Sequence, residues 1–293
     1  MAVAVGPKRL SQIVQDAGIH AFTKDDFFLV CGGVTQDPAR LVLVGGQAIE
    51  VWGVLLDVPA PTGDQNSLTE DTDWLGSAAD AQWLANFLQG ENTIELTKAT
   101  LDDNTANTAV ILLQRPDGRI LLMDFLHSIT GLGNAEINRM AVLLELPNQH
   151  GKLLSLRVLH PLHCLQSRMA NLQIYSKKRA GNGPLQAQWA LDIVRAYLRQ
   201  TALHNSSDEV AKACRELAEI SANGPAQYCY THYGLEPLQA ITPDVLVAAG
   251  SKFVQLEWPH MLKRLEVKQA RWRNQQVRLQ QRRKLLPKSG DRP

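Results

Sequence analysis

The hydrophobic and polar positions of the chain change their period at two adjacent glycines. Residues 40–44 form an apolar run, which predicts a buried strand, and the run ends at Gly45 and Gly46. Beyond the glycines, apolar residues from Ala48 to Leu56 recur at the spacing of a helix face. This stretch therefore predicts a strand, a tight glycine turn and a helix, in that order.

Further patterns predict a mixed sheet with helices packed against it. Short β-rich or apolar runs, each typical of a strand, lie at 72–76, 93–99, 108–114, 120–126 and 153–159. Helical periodicity is found at 8–18 and 78–89 in the same part of the chain. Because helices alternate with strands early and strands dominate later, we expect an α+β fold with a mixed β-sheet.

From Pro161 onwards the pattern is helical. Three helical segments, separated by the loops RAGNGP and HNSS, precede a last long helix predicted at about 243–283. We therefore predict two domains: 1–159 contains the sheet, and 160–293 is a helical domain that ends in a basic helix.

The composition is that of an ordinary globular protein. Of 293 residues, 45% are hydrophobic and 20% are charged, and the length suffices for two domains of common size. No stretch approaches the roughly 18 consecutive apolar residues of a membrane-spanning helix. Lys8 and Arg9 follow the first apolar residues, whereas in a signal peptide basic residues precede them. We therefore expect a cytoplasmic protein with no membrane association.

Cysteine and histidine do not form a metal-binding pattern. The four cysteines are widely scattered and include no C-x-x-C pair, which favours buried thiols in a reducing compartment. His160 and His163 are close together, but Pro161 separates them and no third ligand lies nearby. We interpret them as loop or cap histidines.

The formal net charge of +1 hides an asymmetry along the chain. From residue 261 onwards there are 11 Lys or Arg and two acidic residues, a net charge of +9. The preceding 260 residues carry 19 basic and 27 acidic groups, a net charge of −8. A basic last helix that also contains Trp258 and Trp272 suits an RNA backbone. The alternative is a solvated helix, or one that faces an acidic partner surface.

Two aspartates one residue apart carry the clearest chemical signal. Asp71 and Asp73 lie in the segment TEDTDWLG, and residues i and i+2 of a strand project to the same face. Two carboxylates on one face repel each other unless cations lie between them. Mg²⁺ suits such a site, because it prefers oxygen ligands and retains substrate phosphates. Polymerase-type enzymes hold two such ions about 3.5–4 Å apart.

The glycine pair supplies the second part of a phosphate site. A strand that ends in Gly-Gly and opens a helix lets backbone N–H groups approach a phosphate, which the helix dipole also favours. Neither the Walker pattern G-x-x-x-x-G-K-[ST] nor the Rossmann pattern G-x-G-x-x-G is present. Taken alone, a Gly-Gly pair after a strand is usually just a turn.

An apolar strand, Gly-Gly, a helix and then an Asp-x-Asp strand resemble the signature of the nucleotidyltransferase superfamily, which includes DNA polymerase β-like enzymes. The matching segments are LVGG at 43–46 and EDTDWL at 70–75. The resemblance covers about residues 40–126, and a weaker similarity extends to roughly residue 200. The 24-residue spacer 47–70 is longer than usual in the family, and Thr72 stands where an apolar residue is more frequent. The spacer must loop out of the site if the glycine pair and the two aspartates are to lie close together.

The resemblance implies roles for individual residues. It implies that Asp71, Asp73 and, on a later strand, Asp124 bind two Mg²⁺ ions and carry the catalysis. It also implies that Gly45, Gly46, Thr69 and Arg168 hold the phosphates of a nucleoside triphosphate. For the threonine, the alternative is a hydroxyl that caps its own turn.

The resemblance further implies a reaction, the transfer of a nucleoside monophosphate from an NTP such as ATP to an acceptor hydroxyl. Toxins of type IV toxin–antitoxin abortive-infection systems look similar beyond the core, which implies a toxin-like role and an antitoxin partner. The basic last helix favours RNA or tRNA as acceptor, with a protein side chain or a small molecule as alternatives. The rival hypotheses are a catalytically silent nucleotide- or RNA-binding protein of the same fold, and an adaptor that binds nucleic acid through its last helix.

Overall fold

The computed structural model describes residues 17–61, 71–103, 105–148 and 150–285, apart from five side chains at the end of the last helix. The chain divides into two compact units, Met1–Arg168 and Met169–Pro293. The division falls within a helix, and the domain boundary near residue 160 stays a prediction. The helix predicted at 8–18 lies almost entirely outside the described residues.

The first unit is built on one seven-stranded β-sheet. In chain order its strands are β1 (Val42–Val44), β2 (Asp71–Leu75), β3 (Thr93–Lys98), β4 (Asn107–Gln114), β5 (Ile120–Leu126), β6 (Val142–Pro147) and β7 (Leu153–Val158). Their order across the sheet is β3-β4-β5-β2-β1-β7-β6. β2 runs parallel to β5 and antiparallel to β1, and β1 runs parallel to β7. The predicted α+β fold with a mixed sheet is confirmed.

Helices alternate with these strands. They are α1 (Lys24–Val34), α2 (Gly45–Leu55), α3 (Ala78–Leu88) and α4 (Asn134–Met140), while α5 (Pro161–Ile174) spans the division between the units. Ser77 begins α3 with a capping box: its hydroxyl accepts from the backbone N–H of Asp80, whose carboxylate accepts from the backbone of Ser77. This exchange satisfies backbone donors that the first turn of a helix leaves unpaired.

The central strands carry the core of the first unit. Leu43 on β1, Trp74 on β2 and Phe125 on β5 are fully buried. Strands that are covered on both faces read as nearly continuous apolar runs. For this reason the runs at 40–44 and 120–126 predict β1 and β5 correctly.

Three elements of this unit, α1, α4 and β6, are absent from the sequence-based prediction. β6 is the clearest case, because it lies at the edge of the sheet and pairs with β7 alone. Its positions alternate between half-buried and exposed, and the side chain of Leu143 is 57% exposed. An apolar residue that faces solvent blurs the alternation on which strand prediction depends.

The second unit is helical. After the end of α5 it contains α6 (Ser176–Ala180), α7 (Gly183–His204), α8 (Ser207–Ser221), α9 (Gly224–Tyr233), a 3₁₀ turn (Pro237–Ala240), α10 (Pro243–Ala248), a π turn (Phe253–Glu257) and α11 (Trp258–Leu285). The single helix predicted at 243–283 is wrong in its first part, because Gly250, with φ +89°, separates α10 from the following helix. Within the described ranges, no helix is both long and apolar enough to cross a membrane.

The cysteines and the paired histidines occupy buried positions. Burial raises the pKa of three thiols to about 12, those of Cys164, Cys214 and Cys229. His160 precedes α5, and its Nδ1 accepts a hydrogen bond from the backbone N–H of Leu162. Thiols of such high pKa are poor nucleophiles and metal ligands, and the hydrogen bond of His160 suits a residue at the start of a helix.

A buried ion-pair cluster joins α1 to the turn between β4 and β5. The side chain of Asp26 has no solvent exposure, and its carboxylate lies 2.6 Å from Arg119 Nη1 and 3.2 Å from Arg115 Nε. Burial opposes the ionisation of Asp26. The hydrogen bonds from Arg119 and Thr23 outweigh this effect and hold the pKa of the carboxyl below its usual range.

We expect Asp26→Asn to lower the free energy of unfolding by about 2–3 kcal/mol, because hydrogen bonds to charged groups contribute about 1.5–3 kcal/mol. The pKa of Asp26 is lower in the folded than in the unfolded chain. Its contribution is therefore present above the ordinary pKa of 3.8 and is lost as the pH falls through the lower folded value. Urea unfolding at about pH 7 and about pH 3 measures the difference. The exposed neighbour provides the control, Asp25→Asn; an equal effect of Asp26→Asn at both pH values would contradict the prediction.

Candidate metal centre

Three carboxylates meet where β2 and β5 lie side by side. Asp71 and Asp73 flank the buried Thr72 on β2, so their side chains share the face opposite to that residue. β2 and β5 are parallel neighbours, and Asp73 is in register with Asp124. The alternation within one strand and the register between two strands thus bring the three predicted aspartates together.

The geometry of these carboxylates fits a divalent cation. One ligand oxygen from each of Asp71, Asp73 and Asp124 lies within 4.8 Å of the other two, and all three residues are half-buried. Carboxylates this close repel one another unless a cation neutralises them, and partial burial strengthens the repulsion. A set of three hard oxygen donors suits Mg²⁺, which prefers oxygen ligands and usually keeps waters and substrate phosphates as its remaining ligands.

Gly45 provides a second observation at the same place. Val44, the last residue of β1, pairs with Asp73, and Gly45 follows with φ +71°, a backbone conformation that favours glycine. A Cβ atom at Gly45 would overlap Oδ2 of Asp73 and lie 2.6 Å from its Cγ. The backbone of Gly45 is therefore packed directly against one of the candidate metal ligands, and any side chain at this position would displace that ligand.

The start of α2 has the character of an anion site. The helix begins at Gly45, and the preceding Val44 makes no side-chain hydrogen bond to its first turn. Backbone N–H groups at a helix N-terminus attract phosphate through both hydrogen bonding and the helix dipole. Because Gly45 also contacts Asp73, an anion at these N–H groups would lie beside the carboxylate cluster.

Asn107 belongs to the site but is not predicted from the sequence. Its Nδ2 donates a 2.8 Å hydrogen bond to Oδ1 of Asp124. The asparagine begins β4, which pairs with β5, and it lies 17 residues before its aspartate in the chain. The family signature contains no position for it, and only the pairing of the two strands reveals the contact.

The other residues predicted to bind phosphate are not part of the carboxylate cluster. Gly46 is buried in the first turn of α2. Arg168 is the last residue of the first unit and is buried. Thr69 lies within 62–70, outside the ranges that the structure describes. Their roles in phosphate binding stay predictions.

Comparison with known proteins finds similarity only among solved structures. No family model matches the chain, and no curated protein matches it. A protein from H. pylori, provisionally described as a nucleotidyltransferase, is 9% identical with a TM-score of 0.36, over 85% of this chain and 93% of its own. JHP933 from Helicobacter pylori is 8% identical with a TM-score of 0.34, over 88% and 94%. The Megavirus polyadenylate synthase is 12% identical with a TM-score of 0.32, over 62% and 37%.

All three TM-scores are below 0.5 and all three identities are 12% or less. The function of the chain is therefore inferred from the geometry of the site and not from these names.

We expect Gly45→Ala to weaken Mn²⁺ binding at least about 10-fold, as a displaced ligand environment typically does, because the new methyl group would push Asp73 out of the cluster. Mn²⁺ replaces Mg²⁺ here as a spectroscopic probe, and electron paramagnetic resonance of the free ion measures its affinity. The matched control is Gly32→Ala in α1, where a Cβ would meet nothing within 4 Å. Unchanged affinity in Gly45→Ala would show that the glycine does not position the aspartate.

Proposed function

We propose that the protein is a metal-dependent nucleotidyltransferase that moves a nucleoside monophosphate from an NTP to an acceptor hydroxyl and releases pyrophosphate. The observation that carries the proposal is the convergence of Asp71, Asp73 and Asp124 beside the start of α2. The reaction has two requirements, a site for divalent cations and a site for the triphosphate. The carboxylates suit the cations, and the backbone N–H groups beside them suit the phosphates.

The three aspartates divide two tasks in the proposed reaction. Asp71 and Asp73 would hold two Mg²⁺ ions, and Asp124 would complete the ligand set or accept the proton of the acceptor hydroxyl. Bound magnesium supplies charge neutralisation at the triphosphate and favours ionisation of the attacking hydroxyl. The acceptor oxygen bonds to the α-phosphorus as the bond from that phosphorus to the β-phosphate oxygen breaks, so pyrophosphate leaves.

The backbone N–H groups of Gly45 and Gly46 are proposed to hold the β- and γ-phosphates. The contact between Gly45 and Asp73 supports this role, because it requires the phosphate-binding backbone and the metal ligand to be adjacent. Thr69 is proposed to donate its hydroxyl to a phosphate. The guanidinium of Arg168 is proposed to offset negative charge in the transition state.

RNA, tRNA included, is the proposed acceptor. On α11 the side chains of Arg271, Arg273 and Arg278 are exposed, and exposed arginines along one helix suit a phosphate backbone. Not every arginine of α11 is available for RNA, since Arg264 forms a 2.6 Å ion pair with Glu219 on α8. A toxin-like role and an antitoxin partner are proposed on the sequence resemblance alone.

The transferase activity predicts that label from an α-³²P-labelled NTP becomes attached to RNA in the presence of Mg²⁺. We expect the double variant Asp71→Asn/Asp73→Asn to reduce this transfer by at least about 10³-fold, because single groups that stabilise transition-state charge contribute about 10²–10³. Each of the four NTPs is tested with total cellular RNA, with protein lysate and with small-molecule acceptors. Product is measured by gel autoradiography and thin-layer chromatography.

A charge-matched control for this experiment is Asp25→Asn/Asp37→Asn, which removes two exposed carboxylates of the first unit. The control is expected to transfer label like the unaltered protein. If no acceptor is labelled with any NTP while calorimetry still detects binding of Mg²⁺ and NTP, the transferase proposal is wrong and the chain is a nucleotide-binding protein.

The RNA proposal predicts an effect of charge on α11. We expect Arg271→Gln/Arg273→Gln/Arg278→Gln to weaken RNA binding at low salt and to reduce the slope of log K against log[salt] by about 2, since each phosphate contact to a single strand contributes about 0.7. Filter binding between about 50 and 200 mM KCl measures both quantities.

The control for this helix removes the same charge from exposed positions of the first unit. It is the triple variant Lys98→Gln/Arg139→Gln/Lys152→Gln. An equal loss of affinity in both triple variants would indicate a general charge effect. An unchanged slope in the α11 variant would remove that helix from the RNA-binding surface.

A further inference from the structure

A β-bulge lies directly beside the candidate metal centre. Asn107 pairs with Leu126 of β5, but Ala109 pairs with Phe125, so Thr108 is an extra residue in β4. Bulges re-aim a side chain and are frequent next to active sites. Here the bulge lies opposite Phe125 and Leu126, the two residues that follow Asp124 on β5, and Asn107 at its edge donates to the Asp124 carboxylate.

The extra residue ties together the two strands that carry the carboxylates. The hydroxyl of Thr108 lies 3.0 Å from the carbonyl oxygen of Gly76, just past the end of β2, and 3.1 Å from that of Phe125 on β5. A single hydroxyl thus bridges the backbones that follow Asp73 and Asp124. The bulge is therefore held to the backbones of both strands that carry the carboxylates.

The side chain of Asn107 is oriented by a second hydrogen bond. Oγ1 of Thr105 lies 3.1 Å from Oδ1 of Asn107, and the backbone N–H of Asn107 donates to the same hydroxyl oxygen at 3.2 Å. A carboxylate only accepts hydrogen bonds, so the amide must present its NH₂ group to Asp124. The hydroxyl of Thr105 stabilises this orientation by donating to the amide oxygen on the other side.

We propose that Asn107 is a positioning residue that sets the rotation of the Asp124 carboxylate for a divalent cation, with Thr105 holding the asparagine amide. The inference rests on the proposed metal site. A neutral amide holds the carboxylate without adding a positive charge that would compete with the cation. A partner of this kind commonly changes metal affinity by about 10–100-fold.

The test measures Mn²⁺ affinity of the metal-free full-length protein by isothermal titration calorimetry and electron paramagnetic resonance. We expect Asn107→Ala to weaken binding about 10-fold. Thr105→Val, which removes the hydroxyl at an exposed position, is expected to weaken binding by a smaller factor. Thr105→Ser keeps the hydroxyl and should restore the affinity. Asn86→Ala, at an exposed asparagine of α3, is the control for loss of an amide.

Two further readouts separate positioning from a general structural role. Thermal unfolding of the metal-free variants should match that of the unaltered protein, and transfer of labelled nucleotide by Asn107→Ala should recover as the Mg²⁺ concentration is raised. If Asn107→Ala does not fold, the pair Thr105→Val and Thr105→Ser decides the question. Mn²⁺ affinities equal to that of the unaltered protein, in the variants that fold, would overturn the inference.

The double variant Asp71→Asn/Asp73→Asn separates a wrong metal centre from a wrong role of Asn107. If the unaltered protein binds no Mn²⁺, or if Asp71→Asn/Asp73→Asn binds it equally well, the metal centre itself is wrong and the inference falls with it. If these aspartates matter and Asn107 does not, the metal centre stands and only the positioning role is overturned.

Discussion

Electrostatic repulsion among three neighbouring carboxylates is the constraint on which the first unit depends. Asp71, Asp73 and Asp124 place their oxygens within 4.8 Å of one another on half-buried side chains. Such an arrangement costs stability unless cations or hydrogen-bond donors compensate it. The amide of Asn107 donates a hydrogen bond to Asp124, and Gly45 lacks the side chain that would collide with Asp73.

The sheet makes this arrangement possible because the carboxylates are attached to rigid central strands. Trp74 on β2 and Phe125 on β5 have no solvent exposure, and each is the neighbour in sequence of one of the aspartates. Packing of these rings fixes the opposite face of the strands, so the carboxylates have little freedom to move apart. Sites that are built on strands are held more precisely than sites on loops.

The arginines of the second unit do not all have the same surroundings. The excess of arginine near the end of the chain predicts a surface for an acidic partner, and several of these side chains are exposed. Other arginines of the unit form ion pairs within it, among them Arg264 with Glu219 and Arg215 with Glu257, each at 2.6 Å. Exposed arginines outside such ion pairs are therefore the candidates for the proposed RNA contact.

The sequence by itself determined the local features of the protein. The apolar run before Gly45, the helical spacing after it and the alternation of Asp71 with Asp73 depend on neighbours along the chain, and a period of 2 or 3.6 residues is enough to recognise them. The third aspartate came from resemblance to a family and not from periodicity. Only the tertiary structure decided three other features. They are the close approach of Gly45 to Asp73, which leaves no space for a side chain, the bulge beside the contact of Asn107 with Asp124, and the edge strand β6. The physical reason is that each of these depends on which distant strands become neighbours, and no local pattern encodes that pairing.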